Sequence, residues 1–447
     1  MLTSFTLKNF KSFKEATLHL TPTVTFLIGA NGSGKSNALE ALTLLKCLGK
    51  GKSLREIESE MNSPSHPLVR CPSNEMVNWF DGKSFELNCA LENNGKDKYV
   101  FSIAIQQEDG DQLTFKHESL VDKGKKIVYS TIDEVVNGRN TKTIVNFVKS
   151  ISSNNGQALF FGLRVISQLI KQDTIPLEEK RSLVSISKGT EQIRNHFSSI
   201  FFLEPNPKGM RGYARQIERM PFSESGENLS AILEELCRDE KVKNDILEIV
   251  RSLPEQEILD INFSKTDENF MMVKLEESFS KEHHHTLAYS LSDGTLRVLA
   301  IATAMFRVPE GSLLVIEEVD NGIHPSRIQH LVDKMYEIAA ERKIQILVTT
   351  HDPAMMNAIP PQEKGNILCC YRDKEDGSSK IVRLSDSPQY IDVLTNKIGN
   401  LVSTSKFEDS IRKTPEERQR EHEAWVEQYK KEQGEYDKAL KKALGED

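Results

Sequence analysis

Cysteine is scarce in this chain and lacks the spacing of a metal or disulfide framework. Six of the 447 residues are cysteines, and no two of them form a CxxC pair. Zinc ribbons depend on such spacing, and the six cysteines therefore indicate neither a zinc cage nor a disulfide framework. We expect reduced thiols, as in a cytoplasmic protein. The six are Cys47, Cys71, Cys89, Cys237, Cys369 and Cys370.

The chain also lacks a long hydrophobic run and an excess of positive charge. No apolar stretch approaches the roughly 20 residues that span a bilayer, and the opening MLTSFTLKNFKSF has no apolar signal core. We therefore expect a soluble cytoplasmic protein without a membrane partner. The 58 basic and 66 acidic side chains give a net charge of −8, so binding to nucleic acid would need a local basic patch.

The composition is that of a folded protein with more than one unit. Hydrophobic residues make up 38% of the chain and charged residues 28%, which excludes wholesale disorder. The length is too great for one compact core. Residues 1–120 look β-rich, 121–255 shift towards helical spacing, and 256–400 alternate buried strands with helices, which indicates a parallel sheet. Residues 401–447 are highly charged.

A glycine-rich phosphate-binding motif lies near the start of the chain. Residues 29–36 read GANGSGKS and fit GxxxxGK(S/T) between a predicted strand, 24–28, and a predicted helix, 37–45. Glycines let backbone N–H groups surround phosphate oxygens, and the helix N-terminus adds its dipole. Lys35 would neutralise the β- and γ-phosphates of ATP, and Ser36 would ligate Mg²⁺. The other predicted nucleotide contacts are Asn31, Gly32, Ser33, Gly34 and Asn37.

Two acidic residues follow a buried strand later in the chain. Residues 313–316 read LLVI and are followed by Glu317 and Glu318. Because a parallel sheet has its ligand crevice at the carboxyl ends of its strands, both carboxylates would face the nucleotide. Glu317 would hold Mg²⁺ through water, and Glu318 would orient or deprotonate the attacking water.

Further segments resemble a known family. Residues 291–295 read LSDGT and resemble the LSGGQ signature of ABC-type ATPases, and TTHD at 349–352 resembles their switch-histidine segment. The opening LKNFKSF resembles that of RecF, SMC and OLD-type members. Four more segments are similar to the stand-alone ATPases of the OLD-like AAA group. They are LEPNP at 203–207, MR at 210–211, GENL at 226–229 and DNGIHP at 320–325.

The resemblance implies an α/β fold with an ABC-type ATPase head. In such a head, a P-loop parallel sheet is joined to an antiparallel β subdomain, here with a helical insertion and a C-terminal helical tail. Lobe I with the P-loop would occupy residues 1–120 and the helical insertion 121–255. Lobe II, with the signature, acidic strand and switch histidine, would occupy 256–400, and the charged helical tail 401–447.

The resemblance also implies a head-to-tail homodimer, or a larger homo-oligomer, with ATP at the interface. The signature of one subunit would face the γ-phosphate bound by the other subunit, an anion-binding role that suits a helix N-terminus. His351 would contact the same phosphate. Glu317 stands where many ABC ATPases carry aspartate, which leaves the hydrolysis rate open. The signature residues are Ser292, Asp293 and Gly294.

Partner interactions are expected from three features. Residues 121–215 hold 15 basic and 8 acidic side chains, a net charge of +7, and would either contact DNA or form a helical lid. Asp109-Gly110-Asp111 imitates the DxD of Toprim nucleases but is expected in a β-turn, so a nuclease would be a separate subunit. Residues 406–447 predict a helix with Trp425 and Tyr429 on one face, which would pack on the protein's own body, form a solvated tail, or dock a partner.

Several functions are open at this point. The first is an ATPase subunit of a bacterial anti-phage defence complex, similar to Septu ATPases, which work with a separate HNH nuclease. The second is a RecF-like or SMC-like ATPase in DNA repair or chromosome maintenance, and the third is a scaffold locked by ATP with slow turnover. A transporter motor is disfavoured because the chain has no membrane segment. The triplet His283-His284-His285 is expected at a solvated hairpin tip rather than at a metal site.

Overall fold

The computed structural model describes most of the two predicted lobes. The described residues are 1–61, 76, 82–93, 97–108, 112–122, 127–130, 135–136, 139–140, 177–217, 220–251, 257–279, 282–386 and 420. The predicted C-terminal helix, the Asp109–Asp111 turn and residues 141–176 of the insertion lie outside this set.

The strands follow one another along the chain from β1 near the amino terminus to β18. They are β1 (Leu2–Phe10), β2 (Phe13–His19), β3 (Val24–Ile28), β4 (Ser84–Asn93), β5 (Asp97–Gln107), β6 (Leu113–Asp122), β7 (Ile127–Ser130), β8 (Val135–Val136), β9 (Arg139–Asn140), β10 (Phe201–Leu203), β11 (Ala214–Arg215), β12 (Glu257–Lys265), β13 (Phe270–Phe279), β14 (Glu282–Leu287), β15 (Leu313–Ile316), β16 (Gln345–Thr350), β17 (Leu368–Arg372) and β18 (Ser379–Arg383).

Within the described residues, one sheet of 14 strands dominates the fold. Its order is β10-β15-β16-β3-β17-β18-β2-β1-β4-β5-β6-β7-β8-β9. The first five strands in this order run parallel. From β17 onwards the neighbours are mostly antiparallel, as in the β1–β2, β1–β4, β4–β5 and β5–β6 pairs. The predicted fold class, a P-loop parallel sheet joined to an antiparallel β subdomain, is confirmed.

The helices connect and cover these strands. They are α1 (Lys35–Gly49), α2 (Leu54–Met61), α3 (Leu177–Ser198), α4 (Pro207–Met210), α5 (Leu229–Leu236), α6 (Glu240–Val250), α7 (Asp293–Arg307), α8 (Pro325–Arg342) and α9 (Pro353–Ala358). Side-chain caps fix several helix starts: Ser292 accepts from Thr295 N before α7, and Asp352 accepts from Ala354 N before α9. None of the described helices combines the length and the hydrophobicity of a membrane-spanning segment.

The parallel strands are central because their sequences are apolar on both faces. Every residue of β3, β15 and β16 is buried, as expected for strands covered by helices on each side. Alternate residues of β3 serve different cores. Val24, Phe26 and Ile28 pack in one cluster with α5 and α7, while Leu27 packs in the other with α1. The predicted strands at 24–28 and 313–316 coincide with β3 and β15.

Two features differ in detail from the sequence-based expectations. The triple histidine lies within β14, where His285 pairs with Glu276 of β13, so the expected hairpin tip was wrong. Residues 201–203, inside the range predicted as a helical insertion, form β10 at the edge of the main sheet. The predicted domain boundaries stay a prediction.

Candidate nucleotide site

The P-loop follows β3 and opens α1, as its motif predicts. Gly32 and Gly34 have φ values of 77° and 118°, in the region that glycine adopts without steric cost. Gly34 is the N-cap of α1 and makes no side-chain cap, so the first turn of this helix presents its backbone N–H groups to a ligand. Ser33 closes the loop through its N–H bond to Ala30 O at 3.2 Å.

Lys35 lies folded over this loop. Its Nζ donates to Gly29 O and, at 3.0 Å, to Ala30 O. Burial lowers the pKa of Lys35, while the nearby Glu317 and Glu318 carboxylates oppose that fall. The hydrogen bonds of this ammonium go to carbonyl oxygens, which a phosphate can replace as a stronger, charged acceptor.

The acidic strand meets the P-loop directly. The Ser36 hydroxyl donates to Glu317 Oε1 at 2.8 Å, although 281 residues separate the two in the chain. The strand order explains this contact, because β15, β16 and β3 are neighbours and their carboxyl ends share one edge. A hydroxyl and a carboxylate are oxygen donors of the kind that Mg²⁺ prefers, and the pair fits that ion chemically.

Glu318 has an unusual backbone conformation beside Glu317. Its φ is 49°, which is uncommon for a residue with a side chain. Its N–H donates to Thr349 Oγ1 at 3.0 Å, so β16 holds the turn that follows β15. Strain of this kind persists where the surrounding structure fixes it, often at functional positions.

The hairpin of β17 and β18, which no sequence motif predicted, supports the P-loop. The loop carbonyls accept hydrogen bonds from β17 and β18: Arg372 Nε lies 3.0 Å from Gly32 O, and the Ser379 hydroxyl 2.6 Å from Ser33 O. The Cys370 thiol also points to Ser33 O at 3.4 Å, and burial raises its pKa to about 11. These residues carry no recognisable local signal, because only the fold brings them to the loop.

The amino-terminal hairpin adds a second support. Asn37 Nδ2 donates to the Ser12 hydroxyl at 2.7 Å, and that hydroxyl lies 2.8 Å from Ser379 Oγ. Lys11 forms a buried ion pair with Glu40 of α1. The LKNFKSF segment therefore packs on the P-loop helix, which gives the resemblance at 7–13 a structural basis. The predicted contact Asn37 is thus placed beside the loop but is engaged with Ser12.

The signature segment forms the N-terminus of α7. Ser292 caps the helix through Thr295 N at 3.0 Å, and a Cβ on Gly294 would lie 2.4 Å from Gly322 O. Glycine is therefore required where α7 meets the loop that follows the acidic strand. Asp293, in the first turn, forms an ion pair with Arg211 at 2.5 Å.

Arg211 holds the segment that leads into the signature. Its Nη1 donates to Tyr289 O at 2.9 Å and to Leu291 O at 2.7 Å, and it lies 3.4 Å from Ala288 O. The sequence marked Arg211 only as part of a family segment, without a role. One guanidinium that binds several carbonyls and one carboxylate fixes this loop more firmly than a single contact could.

The remaining predicted residues lie on loops at the same edge of the sheet. His351 is exposed between β16 and α9. Asp320 is 8% exposed, and its Oδ1 has no hydrogen-bond partner among the described residues. The fold therefore brings Lys35, Ser36 and the acidic pair together. The signature residues contact other neighbours: Ser292 caps α7, Asp293 pairs with Arg211, and Gly294 packs against Gly322.

Comparison with known proteins agrees with this arrangement. A family model described as "AAA domain, putative AbiEii toxin, Type IV TA system" matches residues 24–357. Because that match covers more than half of the chain, the protein belongs to this family of AAA ATPase domains.

Curated relatives match over very different lengths. An ATP/GTP phosphatase of Helicobacter pylori is 22% identical over 379 residues, covering 78% of this chain and 85% of that protein. The DNA replication and repair protein RecF of Edwardsiella ictaluri is 41% identical over 58 residues, covering 13% of this chain and 15% of RecF. The chain therefore spans a small part of the RecF proteins that it matches.

Solved structures of SMC heads are also similar. The SMC head bound to the C-winged helix domain of ScpA has a TM-score of 0.42 and 16% identity, covering 85% of this chain and 96% of that chain. The SMC head domain from Thermotoga maritima has a TM-score of 0.41 and 16% identity, covering 86% and 98%. Because these TM-scores are low, the fold is assigned from the strand order of the main sheet and not from these similarities.

Proposed function

We propose that this protein binds ATP with Mg²⁺ at the P-loop and hydrolyses it. The observation that carries the proposal is the 2.8 Å hydrogen bond between Ser36 and Glu317. It joins the phosphate-binding loop to the acidic strand, the two parts that P-loop ATPases use together. Family membership and the similarity to an ATP/GTP phosphatase support the same activity.

Each residue at this edge has a role that suits its chemistry. The N–H groups of residues 31–34 and Lys35 would hold the phosphates, and Ser36 with Glu317 would hold Mg²⁺, which neutralises the phosphate charge when bound. Glu318 would accept a proton from the attacking water or orient it, since its carboxylate follows directly. His351 would donate a hydrogen bond to the γ-phosphate.

We further propose that two copies pair head to tail. Ser292, Asp293 and Gly294 of one copy would then meet the nucleotide on the P-loop of the other. The N-terminus of α7 supports this arrangement because a helix start favours an anion. Arg211 supports it as well, because its ion pair neutralises Asp293, whose charge would otherwise repel a phosphate.

The biological setting that we propose is bacterial anti-phage defence, as a Septu-like ATPase subunit. The family description names a putative toxin of a toxin–antitoxin system, which is consistent with a controlled effector. The effector would be a separate nuclease subunit, of the HNH type. The predicted tail helix at 401–447 would recruit it, and the basic residues within 121–215 would contact DNA.

The test of hydrolysis uses Glu318→Gln, which removes the carboxylate but keeps the side-chain size. Phosphate release should fall by about 100-fold or more while ATP still binds, because the phosphate contacts are intact. Hydrolysis at the wild-type rate would assign the role of Glu318 to another group, with Glu317 as the first candidate. Release that is already negligible in the wild type would instead favour the ATP-locked scaffold.

A second candidate function is DNA repair or chromosome maintenance. The local similarity to RecF favours it, since 41% identity over 58 residues is well above that of the longer match. Co-purification separates the two settings. A nuclease that is retained by the full chain and lost after truncation near residue 405 supports defence, whereas retained replication proteins support repair.

A further inference from the structure

The strand β16 ends in a threonine that contacts the turn after β15. The parallel pairing of these two strands extends as far as Ile316 of β15 and Val348 of β16. β15 ends at this pair and is followed directly by the two glutamates, whereas β16 continues to Thr350. Thr349 is the residue of β16 that bonds to the turn carrying those glutamates.

Thr349 accepts two successive N–H groups of this turn. Its hydroxyl accepts from Glu318 N at 3.0 Å, and its carbonyl oxygen accepts from Val319 N at 3.3 Å. The Glu318 carbonyl oxygen in turn accepts from Asn321 N at 3.0 Å. The side chain and the backbone of one threonine therefore take the place of the ladder bonds where the chain has left β15.

The backbone conformation of Glu318 gives the hydroxyl bond its importance. With a φ of 49°, Glu318 lies in the left-handed region, which is unfavourable for a residue with a Cβ. Glycine would adopt this conformation without steric cost, but it has no carboxylate. The hydrogen bond from Glu318 N to the Thr349 hydroxyl opposes relaxation of the turn to the right-handed conformations that glutamate prefers.

The burial of Thr349 indicates that its hydroxyl serves this turn. The residue is 1% exposed, and it follows the buried apolar residues Leu347 and Val348. Valine has nearly the same shape and would fill such a position without the cost of burying a hydroxyl. The hydroxyl of Thr349 is satisfied because Glu318 N donates to it.

We propose that Thr349 is a positioning residue for Glu318 in ATP hydrolysis. This role rests on the ATPase activity proposed above and adds a residue that acts through the backbone of the turn. By holding the left-handed conformation, the Thr349 hydroxyl fixes the direction in which the Glu318 carboxylate leaves the chain, and therefore its distance from the attacking water. A displacement of a reacting group by about 1 Å can cost about 100-fold in rate.

The groups that would bind the phosphates are bonded elsewhere. Lys35 donates to two carbonyl oxygens of the P-loop, and Ser36 donates to Glu317. None of these three bonds involves the N–H groups of residues 318 and 319. Loss of the Thr349 hydroxyl should therefore lower kcat for ATP hydrolysis and leave KM for ATP nearly unchanged, whereas damage to the P-loop would weaken ATP binding.

The test measures phosphate release by the full chain with Mg²⁺ and ATP. Thr349→Val should lower kcat by about tenfold or more and change KM by less than about twofold. Thr349→Ser, which keeps the hydroxyl, should recover most of the lost kcat. Thr349→Ser and Thr349→Ala form a second pair that differs only in the hydroxyl, and the serine variant should keep about tenfold more kcat.

The matched control is Thr25→Val on β3, the strand that pairs with β16. Thr25 is also 1% exposed, and its hydroxyl also accepts from a backbone N–H, that of Thr21, at 2.9 Å. The control therefore loses the same kind of bond. Thr25 lies near the start of β3, whereas the P-loop follows the end of that strand, so Thr25→Val should keep the wild-type kcat.

A double variant tests whether Thr349 acts through Glu318. In single-turnover measurements, adding Thr349→Val to Glu318→Gln should lower the rate by less than about twofold, because the carboxylate that Thr349 positions is already absent. A further loss as large as that of Thr349→Val alone would mean that the two residues act independently.

The outcomes separate this role from the ATPase activity itself. If the wild type hydrolyses ATP, three results would overturn the positioning role alone: a wild-type kcat in Thr349→Val, an equal loss of kcat in Thr25→Val, or independent losses in the double variant. Equal kcat values for Thr349→Ser and Thr349→Ala would do the same. Negligible hydrolysis by the wild type would overturn the ATPase activity, and the role of Thr349 with it.

Discussion

The starts of α1 and α7 are both helix N-termini that we propose to contact phosphate, yet they are built differently. α1 begins after Gly34 with no side-chain cap and no acidic residue in its first turn. α7 is capped by Ser292 and carries Asp293 in its first turn. The first helix therefore has no side-chain cap and begins with Lys35, while the second has its Thr295 N–H bonded to the Ser292 side chain. We infer that ATP binds the P-loop first and that a second copy adds its signature afterwards.

The supports of the two helices differ as well. The P-loop and α1 are held by buried contacts from distant parts of the chain, such as the Lys11–Glu40 pair with side chains 9% and 10% exposed. The signature is held by Arg211 and Asp293, with side chains 30% and 63% exposed. A buried support suits a fixed binding loop, and an exposed one suits a surface that a partner covers later.

The largest expected effect concerns Lys35, the positive charge at the start of α1. Lys35→Ala should weaken ATP binding by about 100-fold or more in a calorimetric titration, because no other side chain at the loop can bond the β- and γ-phosphates as Lys35 would. Lys8→Ala, at a half-exposed lysine on β1 far along the chain from the loop, is the control. If Lys35→Ala bound ATP with unchanged affinity, the P-loop would not be the ATP-binding site.

The second prediction compares the two ion pairs. Lys11→Ala should lower the free energy of unfolding by about 3–5 kcal/mol because it removes the cation from the buried ion pair with Glu40. Asp293→Asn should lower it by less than about 1 kcal/mol, since that pair is exposed. The free energies come from urea titrations, and the double variant Lys11→Met/Glu40→Leu should recover much of the loss. Equal losses of unfolding free energy for Lys11→Ala and Asp293→Asn would contradict the stated difference between the buried and the exposed ion pair.

The third prediction concerns the backbone of the P-loop itself. A Cβ on Gly29 would lie 2.2 Å from the Cys370 carbonyl oxygen, whereas a Cβ on Gly32 would meet nothing within 4 Å. Gly32→Ala should therefore cost only the strain of its positive φ, about 1–2 kcal/mol. Gly29→Ala should cost more because the β17 backbone must move. Thermal unfolding without nucleotide measures the stability of the two variants. A lower melting temperature for Gly32→Ala than for Gly29→Ala would contradict the support of the P-loop by the β17–β18 hairpin.

The smallest expected effect concerns Arg211, which holds the signature segment. Arg211→Ala should lower ATP turnover by about tenfold with little change in the ATP affinity of the single subunit, since Arg211 fixes the signature and not the P-loop. Arg211→Lys should recover only part of the activity, because a compact ammonium lacks the forked geometry with which the guanidinium reaches the carbonyls and the Asp293 carboxylate together. Arg215→Ala is a nearby exposed control. A loss of ATP affinity equal to the loss of turnover would place Arg211 in the P-loop site instead.

The sequence was informative where a residue's role is encoded by its neighbours in the chain. GANGSGKS, LLVIEE and LSDGT each combine a local element with its chemistry, and the structure has β3, α1, β15 and α7 at those places. The support of the P-loop by Arg372 and Ser379 could not be predicted, because it depends on β17 and β18 pairing beside β3 and β2.

The head-to-tail pairing is the central claim, and the mass of Glu318→Gln in solution tests it most directly. Ultracentrifugation should show that ATP doubles the mass of this variant. The matched control adds Ser292→Asp, which keeps a good helix cap but places a carboxylate towards the partner's γ-phosphate. That control should bind ATP normally and stay at the mass of one chain. A mass that ATP does not change, in a protein that calorimetry shows to be ATP-bound, would contradict the account, as would a doubling that Ser292→Asp leaves intact.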